Sequence, residues 1–353
     1  DGCAKDSLLE WLSKYTWPYE AKFKSIKYTE EKIVKFRQEL LKCGTLGGAC
    51  YASIHPHTTE LALENFLGDF IVGNVLMTMN SPEYLTETKL EAMDKVKRLS
   101  ANYKNRYAVT PRFAPTTHPE VMKEAALIGK KNKSFIQTHL SETRAEIDYV
   151  LSIYREFKNF KNVKTYTDIY HQTKLLSPKT IMGHGIYLST EELKLLSKTK
   201  TAICHCPTSN AEVSDLGLGS GLFNFKETEK QKVRWALGSD IGGGPYLSMF
   251  DVMKSFVKQN KKKKIKEATY VKALYRSTIA GAEILGLQKS NGSIDKNKWA
   301  NFIFIDGKKV LKLKNAESVL DKTISSVKKR EDFDHLVCET VYQGKTVYTS
   351  ISK

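Results

Sequence analysis

The sequence predicts an α/β fold, a (β/α)8 TIM-like barrel that lacks its first strand and carries a small β appendage. Short apolar runs alternate with amphipathic stretches from residue 45 onward, which is the pattern of repeated βα units around a parallel sheet. Three of these runs end on histidine or aspartate. A parallel barrel builds its active site at the carboxyl ends of its strands, so the function is expected there.

The chain opens with apolar residues at helical spacing from Leu8 to Gly44, a helical region that Pro18 is expected to interrupt and Gly44 to close. Seven apolar runs follow as predicted strands. They lie within Thr45–Ser53, Asp69–Met77, Arg106–Pro111, Ser134–His139, Thr180–His184, Thr201–Cys206 and Val233–Asp240. A barrel without one strand has two unpaired edges, and the missing strand is expected to precede Asp1.

After Leu287 the pattern changes to strand and hairpin signals without long helices between them. These signals lie in Gly292–Ile294, Ala300–Asp306 and Glu339–Tyr348. We therefore divide the chain into a barrel over residues 1–290, truncated before its first strand, and a β appendage over residues 291–353.

Composition favours a globular protein, since 41% of the 353 residues are hydrophobic. No apolar stretch is long enough to span a membrane, and the first residues lack the features of a signal peptide, so we expect a cytoplasmic protein. The six cysteines form no CxxC pair, and we interpret them as reduced thiols.

The formal net charge of +17 could indicate an anionic partner such as nucleic acid. Most of the lysines alternate with acids in helical segments, which is typical of solvated faces. The densest run, Lys261–Lys264, lacks interleaved aromatic residues and is interpreted as a loop or helix end. We predict no specific nucleic-acid partner and no membrane contact.

One strand-end motif carries the chemistry. The run that ends in His139 is followed three residues later by Glu142, and His184 and Asp240 end two later runs. A histidine that can bind a metal, followed by a carboxylate that can carry a proton, suits metal-assisted hydrolysis. His-x-x-Glu alone is a weak signal, and the three strand ends together give it weight.

Several motifs together resemble the guanine deaminases of the amidohydrolase superfamily. They are Thr110-Pro111-Arg112-Phe113, Thr138-His139-Leu140-Ser141-Glu142, Gly183-His184-Gly185, His205-Cys206-Pro207-Thr208-Ser209-Asn210 and Gly238-Ser239-Asp240. The resemblance covers nearly the whole chain. It implies an amidohydrolase-type barrel with a β-sandwich of which residues 291–353 form the C-terminal part, a cytoplasmic homodimer, and hydrolysis of guanine to xanthine and ammonia in purine catabolism or salvage.

The sequence departs from this family at one point, because the His-x-His motif of the first barrel strand is missing. The resemblance leads us to expect a further segment before Asp1 that supplies this motif. Without it, residues 1–353 by themselves are expected to hold little zinc and to show no turnover. His55 and His57 have the right spacing, but they follow the first predicted strand and are interpreted as polar surface residues.

The resemblance also implies the site residues. His139 and Asp240 would bind one Zn²⁺ per subunit, or Fe²⁺ in its place, with Asp240 accepting the proton of the attacking water. His184 would orient the nucleophile and substrate, with a metal contact possible. Glu142 would carry protons to a ring nitrogen and to the leaving amine. Its alternative is a surface acid that opens a helix.

Arg112 and Phe113 resemble the guanine-binding pair of that family. A guanidinium can donate two hydrogen bonds to O6 and N7 of guanine, and an aromatic face can pack on the purine. The alternative places Arg112 in a structural ion pair and Phe113 in the core.

Cys204, His205 and Cys206 do not form a predicted metal site, because alternate residues of a strand point to opposite faces and the imidazole cannot join both thiols. Pro207 and Asn210 are expected to shape the pocket wall. Two other functions stay open: a deaminase or chlorohydrolase acting on another aminated heterocycle (a triazine, a pterin or an adenosyl derivative), and a catalytically inactive barrel that serves as a binding partner.

Overall fold

A computed structural model describes residues 8–307, 310 and 312–350 of the chain. Its main sheet has seven parallel strands in the order in which they occur in the sequence, β1 to β7, and it is curved into a half-barrel with helices between the strands. The seven predicted strands are all present. β1 and β7 form the two edges of this sheet, as expected for a barrel with one strand missing from the described residues.

Most of the barrel strands are slightly shorter than predicted, whereas β5 matches its predicted range and β4 is shifted by one residue. The observed strands are β1 Gly47–Ala52, β2 Asp69–Leu76, β3 Ala108–Pro111, β4 Phe135–Leu140, β5 Thr180–His184, β6 Ala202–His205, β7 Arg234–Leu237, β8 Phe302–Ile305, β9 Val337–Tyr342 and β10 Lys345–Thr349. The predicted range of the last barrel strand, Val233–Asp240, was too long. The observed β7 ends at Leu237, and Asp240 lies in the loop that follows.

The α-helices lie between the strands and after them. They are α1 Leu8–Trp11, α2 Trp17–Ala21, α3 Ile26–Lys42, α4 Pro56–Asn65, α5 Lys89–Tyr103, α6 Pro119–Lys131, α7 Arg144–Arg155, α8 Tyr166–Gln172, α9 Thr190–Lys198, α10 Pro207–Asn210, α11 Phe225–Lys230, α12 Met249–Lys262, α13 Tyr270–Ser277, α14 Ile279–Leu285 and α15 Ala316–Ser325.

The first helical region corrects one prediction, because Pro18 does not interrupt it. A π-helical turn over Leu12–Thr16 runs directly into α2, with helical backbone angles at Thr16 and Trp17, and Pro18 is the second residue of α2. The break comes at Ser25, which has extended backbone angles and caps α3 by accepting a hydrogen bond from the Tyr28 N–H.

The core lies between the sheet and its helices. β2 shows why these runs fold as parallel strands, since seven of its eight residues are buried, as expected when both faces of a sheet are covered. Inside the curve of the sheet lies a cavity of about 1620 Å³, and its wall includes Cys50 on β1, Gln137 on β4, Ile203 on β6 and Ala236 on β7.

The end of the chain forms a three-stranded antiparallel sheet in the order β10-β9-β8. Gln343 and Gly344 join β9 to β10, and both have positive φ angles (49° and 78°), as a tight hairpin turn requires. The Thr340 hydroxyl of β9 donates to the Leu41 carbonyl at 2.7 Å, which attaches this sheet to α3. The strand signal read in Gly292–Ile294 was wrong, since none of these residues lies in a strand.

The lysine run lies at the C-terminal end of α12 and in the turn that follows. Lys262 pairs with Glu212 at 2.9 Å and with Asp215 at 3.3 Å, and Lys261 lies over the Tyr270 ring. Positive charge at a helix C-terminus is favourable. The helix end and these local contacts therefore explain part of the positive charge of the run without an anionic partner.

We therefore expect that replacing Lys261–Lys264 with glutamine leaves turnover unchanged. We also expect that these lysines give the protein no specific affinity for RNA at physiological salt, so that the substitutions change no specific binding. The measurement is an RNA-binding titration at several salt concentrations. A specific affinity that these substitutions abolish, together with a reduced salt slope, would restore nucleic acid as a partner.

Within the described residues, no helix is both long enough and apolar enough to cross a membrane.

Candidate active site

Three predicted metal ligands converge at the carboxyl ends of their strands. One potential ligand atom from each of His139, His184 and Asp240 lies within 4.8 Å of the other two. His139 is the fifth residue of β4, His184 is the last of β5, and Asp240 follows β7. The register pairs His139 with Gly183 and Leu140 with His184, so the two imidazoles lie at almost the same level. Their rings stack with centroids 5.4 Å apart.

A backbone hydrogen bond orients the His139 ring. Nδ1 lies 2.6 Å from the Arg112 carbonyl oxygen, which can only accept, so Nδ1 carries the proton and Nε2 keeps a free lone pair. Burial and the neighbouring His184 lower the pKa of His139 to about 3. A neutral imidazole whose second nitrogen is held by a carbonyl is the usual form of a metal-binding histidine.

The other residues of the site have unusual backbone angles. His184, Asp240 and Ser141 all have positive φ angles, of 68°, 49° and 50°. Such angles are unfavourable for residues with a side chain and are often found at functional sites. At Gly243 a Cβ atom would lie 2.7 Å from Oδ2 of Asp240, so a residue without a side chain is needed for this turn to close around the carboxylate.

Glu142 is 3% exposed, and both of its carboxylate oxygens have partners. Oε1 accepts hydrogen bonds from Nδ2 of Asn210 and from the Ser220 hydroxyl, each at 3.0 Å. Oε2 lies 3.5 Å from Nε2 of His184. The interpretation of Glu142 as a surface acid is therefore wrong. Two donors fix Oε1, and Oε2 is the oxygen that lies beside His184.

Burial raises the pKa of Glu142. Burial lowers the pKa of His184, but the carboxylates of Glu142, Asp240 and Glu146 outweigh it and raise that pKa overall. Both shifts favour the protonated forms of these two side chains, and a carboxyl group that keeps its proton is what general acid catalysis requires.

Glu146, on the first turn of α7, holds the Glu142 backbone. Its Oε2 accepts from the N–H of Glu142 at 2.8 Å and from the N–H of Thr143 at 3.2 Å, while the Thr143 hydroxyl caps the helix. Burial and the nearby Glu142 raise the pKa of Glu146 to about 7. The Thr-x-x-Glu spacing of a capping box was visible in the sequence, but its link to the site was missed.

Ser220 reaches the site from a glycine-rich loop between α10 and α11. Gly219 and Gly221, on either side, have positive φ angles of 72° and 130°. A Cβ on Gly221 would lie 2.8 Å from the Tyr187 hydroxyl, and that hydroxyl donates to the Ser220 carbonyl at 2.7 Å. Sequence reasoning did not find Ser220. The glycines on both sides were its only signal.

Arg112 and Phe113 lie beside the cluster and line the same cavity. A guanidinium nitrogen of Arg112 pairs with the Glu20 carboxylate of α2, and both side chains are 12% exposed. The Phe113 side chain packs in an apolar cluster with Trp11, Leu12 and others, and its ring centroid lies 6.4 Å from that of His139. Arg112 thus makes the structural ion pair, and Phe113 the core contact, that were considered as alternatives. Both residues nevertheless lie next to the site that they were predicted to serve.

His55 and His57 lie at the start of α4 and stack on each other with centroids 5.7 Å apart. Nε2 of His57 bonds the Phe23 carbonyl at 2.8 Å. In the part of the chain that the structure describes, neither belongs to a group of three potential ligands.

The metal-ligand cluster fits zinc. Two imidazoles and a carboxylate are the donor types that zinc uses in catalytic sites, where three protein ligands leave a position for water. The same set also suits Fe²⁺, so the donors alone do not select the metal.

Comparison with known proteins decides the family. Residues 25–347 match the Amidohydrolase family. Guanine deaminase of Escherichia coli K12 is 32% identical, over 98% of this chain and 79% of that protein, and guanine deaminase of Mus musculus is 37% identical, over 85% and 67%. The chain belongs to the amidohydrolase family, among the guanine deaminases. The resemblance read from the motifs is confirmed.

Solved structures of this family agree with the fold. The E. coli guanine deaminase has a TM-score of 0.86 at 30% identity, covering 97% of this chain and 79% of that one. A guanine deaminase from C. acetobutylicum, solved with guanine bound in its active site, also has a TM-score of 0.86, at 26% identity and with 99% and 82% coverage. The TIM-like barrel predicted from the strand pattern and the amidohydrolase type implied by the motif resemblance are thereby confirmed.

Proposed function

We propose that this amidohydrolase hydrolyses guanine to xanthine and ammonia. The observation that carries the proposal is the position of Glu142, a buried carboxylate with Oε2 3.5 Å from His184 Nε2 and beside the His139, His184 and Asp240 cluster. This arrangement supplies a proton carrier next to a candidate metal centre in a chain related to guanine deaminases.

A zinc ion held by His139, Asp240 and His184 would lower the pKa of a bound water and so supply a nucleophile at neutral pH. The protein's residues do the remaining work. Asp240 accepts the proton of the attacking water. Glu142 gives its proton to a ring nitrogen of the purine, takes up the remaining proton of the added water and gives it to the departing amine, while Asn210 and Ser220 keep its Oε1 fixed. The proton on Asp240 returns to Glu142 for the next turnover.

Arg112 and Phe113 are the proposed purine-binding residues. The recorded ion pair with Glu20 uses one terminal nitrogen of the guanidinium, Nη1. A guanidinium has five N–H donors, so the ion pair can anchor Arg112 while other donors face O6 and N7 of guanine. Adenine carries an amino group in place of O6, which would set donor against donor.

For Arg112→Ala in the product of the complete reading frame we expect a higher KM for guanine and weaker discrimination against purines that lack O6, by about 1–3 kcal/mol for a lost bidentate contact. Glu20→Gln is the matched control, since it removes the ion pair and leaves the guanidinium in place. The measurement is kcat/KM for guanine and for an aminopurine without O6. Equal losses of selectivity in the two variants would assign Arg112 a structural role.

The other candidate functions have less support. Triazine hydrolases share the fold with a TM-score of 0.79, but at 16% identity that likeness shows the fold alone. A catalytically inactive barrel has no need of a buried carboxylate with both oxygens held beside three potential ligands. The geometry of the site therefore favours a catalytically active deaminase over an inactive barrel.

Removal of the metal tests the proposal. Dialysis of the product of the complete reading frame against a chelator is expected to abolish ammonia release from guanine, and one equivalent of Zn²⁺ per subunit is expected to restore it. If Fe²⁺ restores turnover and Zn²⁺ does not, iron is the metal. Turnover that survives complete removal of metal would refute a metal-dependent mechanism.

We also propose a cytoplasmic homodimer and the division into a barrel over residues 1–290 and a sandwich part over residues 291–353. Both rest on the family resemblance. Sedimentation of the purified protein measures the oligomeric state, and a single species of monomer mass would reject the dimer.

A further inference from the structure

The dithiol formed by Cys204 and Cys206 has no role in the proposed reaction. Cys204 lies on β6, and Cys206 follows its last residue. Both line the cavity inside the sheet, whereas the His205 side chain between them points the other way and stacks on Phe223 at 4.5 Å. The alternation of the strand thus excludes the imidazole, as predicted, and it places the two thiols on the same face.

Gly238 on the neighbouring segment makes room for these thiols. A Cβ at Gly238 would lie 2.5 Å from Sγ of Cys204 and 3.7 Å from Sγ of Cys206, so the two sulfur atoms share the space that a side chain would fill. Sγ of Cys206 also lies 3.6 Å from the Cys204 carbonyl oxygen. The interaction of each thiol with the other lowers the pKa of Cys204 and raises that of Cys206.

A disulfide is not the best use of this pair. Residues i and i+2 of an extended strand have Cα atoms roughly 6.6–6.8 Å apart. Disulfides have Cα separations of about 4.4–6.8 Å, most often near 5.5–6 Å, so a direct S–S bond would fall at the upper limit of the range. An ion bound between the two sulfur atoms allows a larger separation of the two residues than a direct S–S bond does.

We propose that Cys204 and Cys206 form a site inside the barrel for one soft monovalent cation of the Cu⁺ type. Thiolates select soft ions such as Cu⁺. Zinc fits less well because its sites use at least three protein ligands, and within the described residues neither thiol belongs to a group of three potential ligands. On binding, each thiol releases one proton and forms one S–Cu bond, and the oxidation state of copper does not change.

The test is titration of the protein with Cu⁺ under anaerobic, reducing conditions, in competition with a chromogenic Cu⁺ chelator. We expect the wild-type chain to keep one Cu⁺ against the chelator, and Cys204→Ser and Cys206→Ser each to lose it. Cys50→Ser is the matched control, because Cys50 lines the same cavity as a single thiol on β1. His139→Ala is also expected to keep the ion.

Several outcomes would overturn the proposal: no Cu⁺ kept by the wild type, full retention in both cysteine variants, or loss in His139→Ala alone. A second measurement covers the case in which the serine variants do not fold. Phenylarsine oxide condenses with two thiols to give two S–As bonds and one water, so in the wild type it should protect Cys204 and Cys206 together from alkylation in peptide mapping. Alkylation of both cysteines despite the reagent would contradict a paired site.

Discussion

In the product of the complete reading frame, Glu142→Gln is expected to lower kcat for guanine by about 10²–10⁴-fold, the usual contribution of a positioned acid–base group, and to leave the zinc content unchanged. The amide keeps the size of the side chain and can still accept from Ser220, but it cannot carry a proton between the water and the purine. The measurements are steady-state ammonia release and elemental analysis of the same preparation.

Glu146→Gln is the matched control for this variant. Its amide oxygen can still accept from the N–H groups of Glu142 and Thr143, so the Glu142 backbone stays in place and turnover should remain near that of the wild type. If Glu146→Gln lost as much activity as Glu142→Gln, the proton would move through Glu146 and our assignment would be wrong.

Asp240→Asn is expected to lose both zinc and turnover. An amide is a much weaker zinc ligand than a carboxylate, and it cannot accept the proton of the attacking water. Loss of a residue that only supports a metal ligand commonly costs about 10–100-fold in metal affinity or activity, so loss of a ligand should cost at least that much. Zinc affinity is measured by competition with a chromogenic chelator.

Asp251→Asn is the control for general effects of removing a buried carboxylate. Asp251 is 1% exposed and pairs with Arg330, and it does not belong to the group of potential ligands formed by His139, His184 and Asp240. This variant should lose stability and keep its zinc. Full zinc content in Asp240→Asn would remove Asp240 from the ligand set.

Local sequence patterns predicted much of this architecture. Buried strands have continuous apolar runs, and all seven barrel strands were found within a few residues of their observed ends. Parallel strands bring their carboxyl ends to one edge of a sheet, so His139, His184 and Asp240 could be placed together before any coordinates were known. The errors arose where a turn decides the geometry, as at Pro18 and after Leu237.

The partners of Glu142 could not be predicted in the same way. Ser220 lies 78 positions further along the chain, on a loop whose course depends on the packing of Tyr187. The ion pair between Arg112 and Glu20 spans 92 positions. No local periodicity reports contacts over such separations. The expected segment before Asp1 stays a prediction.

The most direct test of the account is the substrate specificity of the zinc-loaded product of the complete reading frame. The measurement is kcat/KM for ammonia release from guanine, adenine, an aminated triazine, a pterin and an adenosyl derivative. We predict that guanine is converted to equal amounts of xanthine and ammonia, with a kcat/KM at least tenfold above that of any other compound. Higher kcat/KM for a triazine, a pterin or an adenosyl derivative, or no ammonia from guanine, would contradict the proposed function.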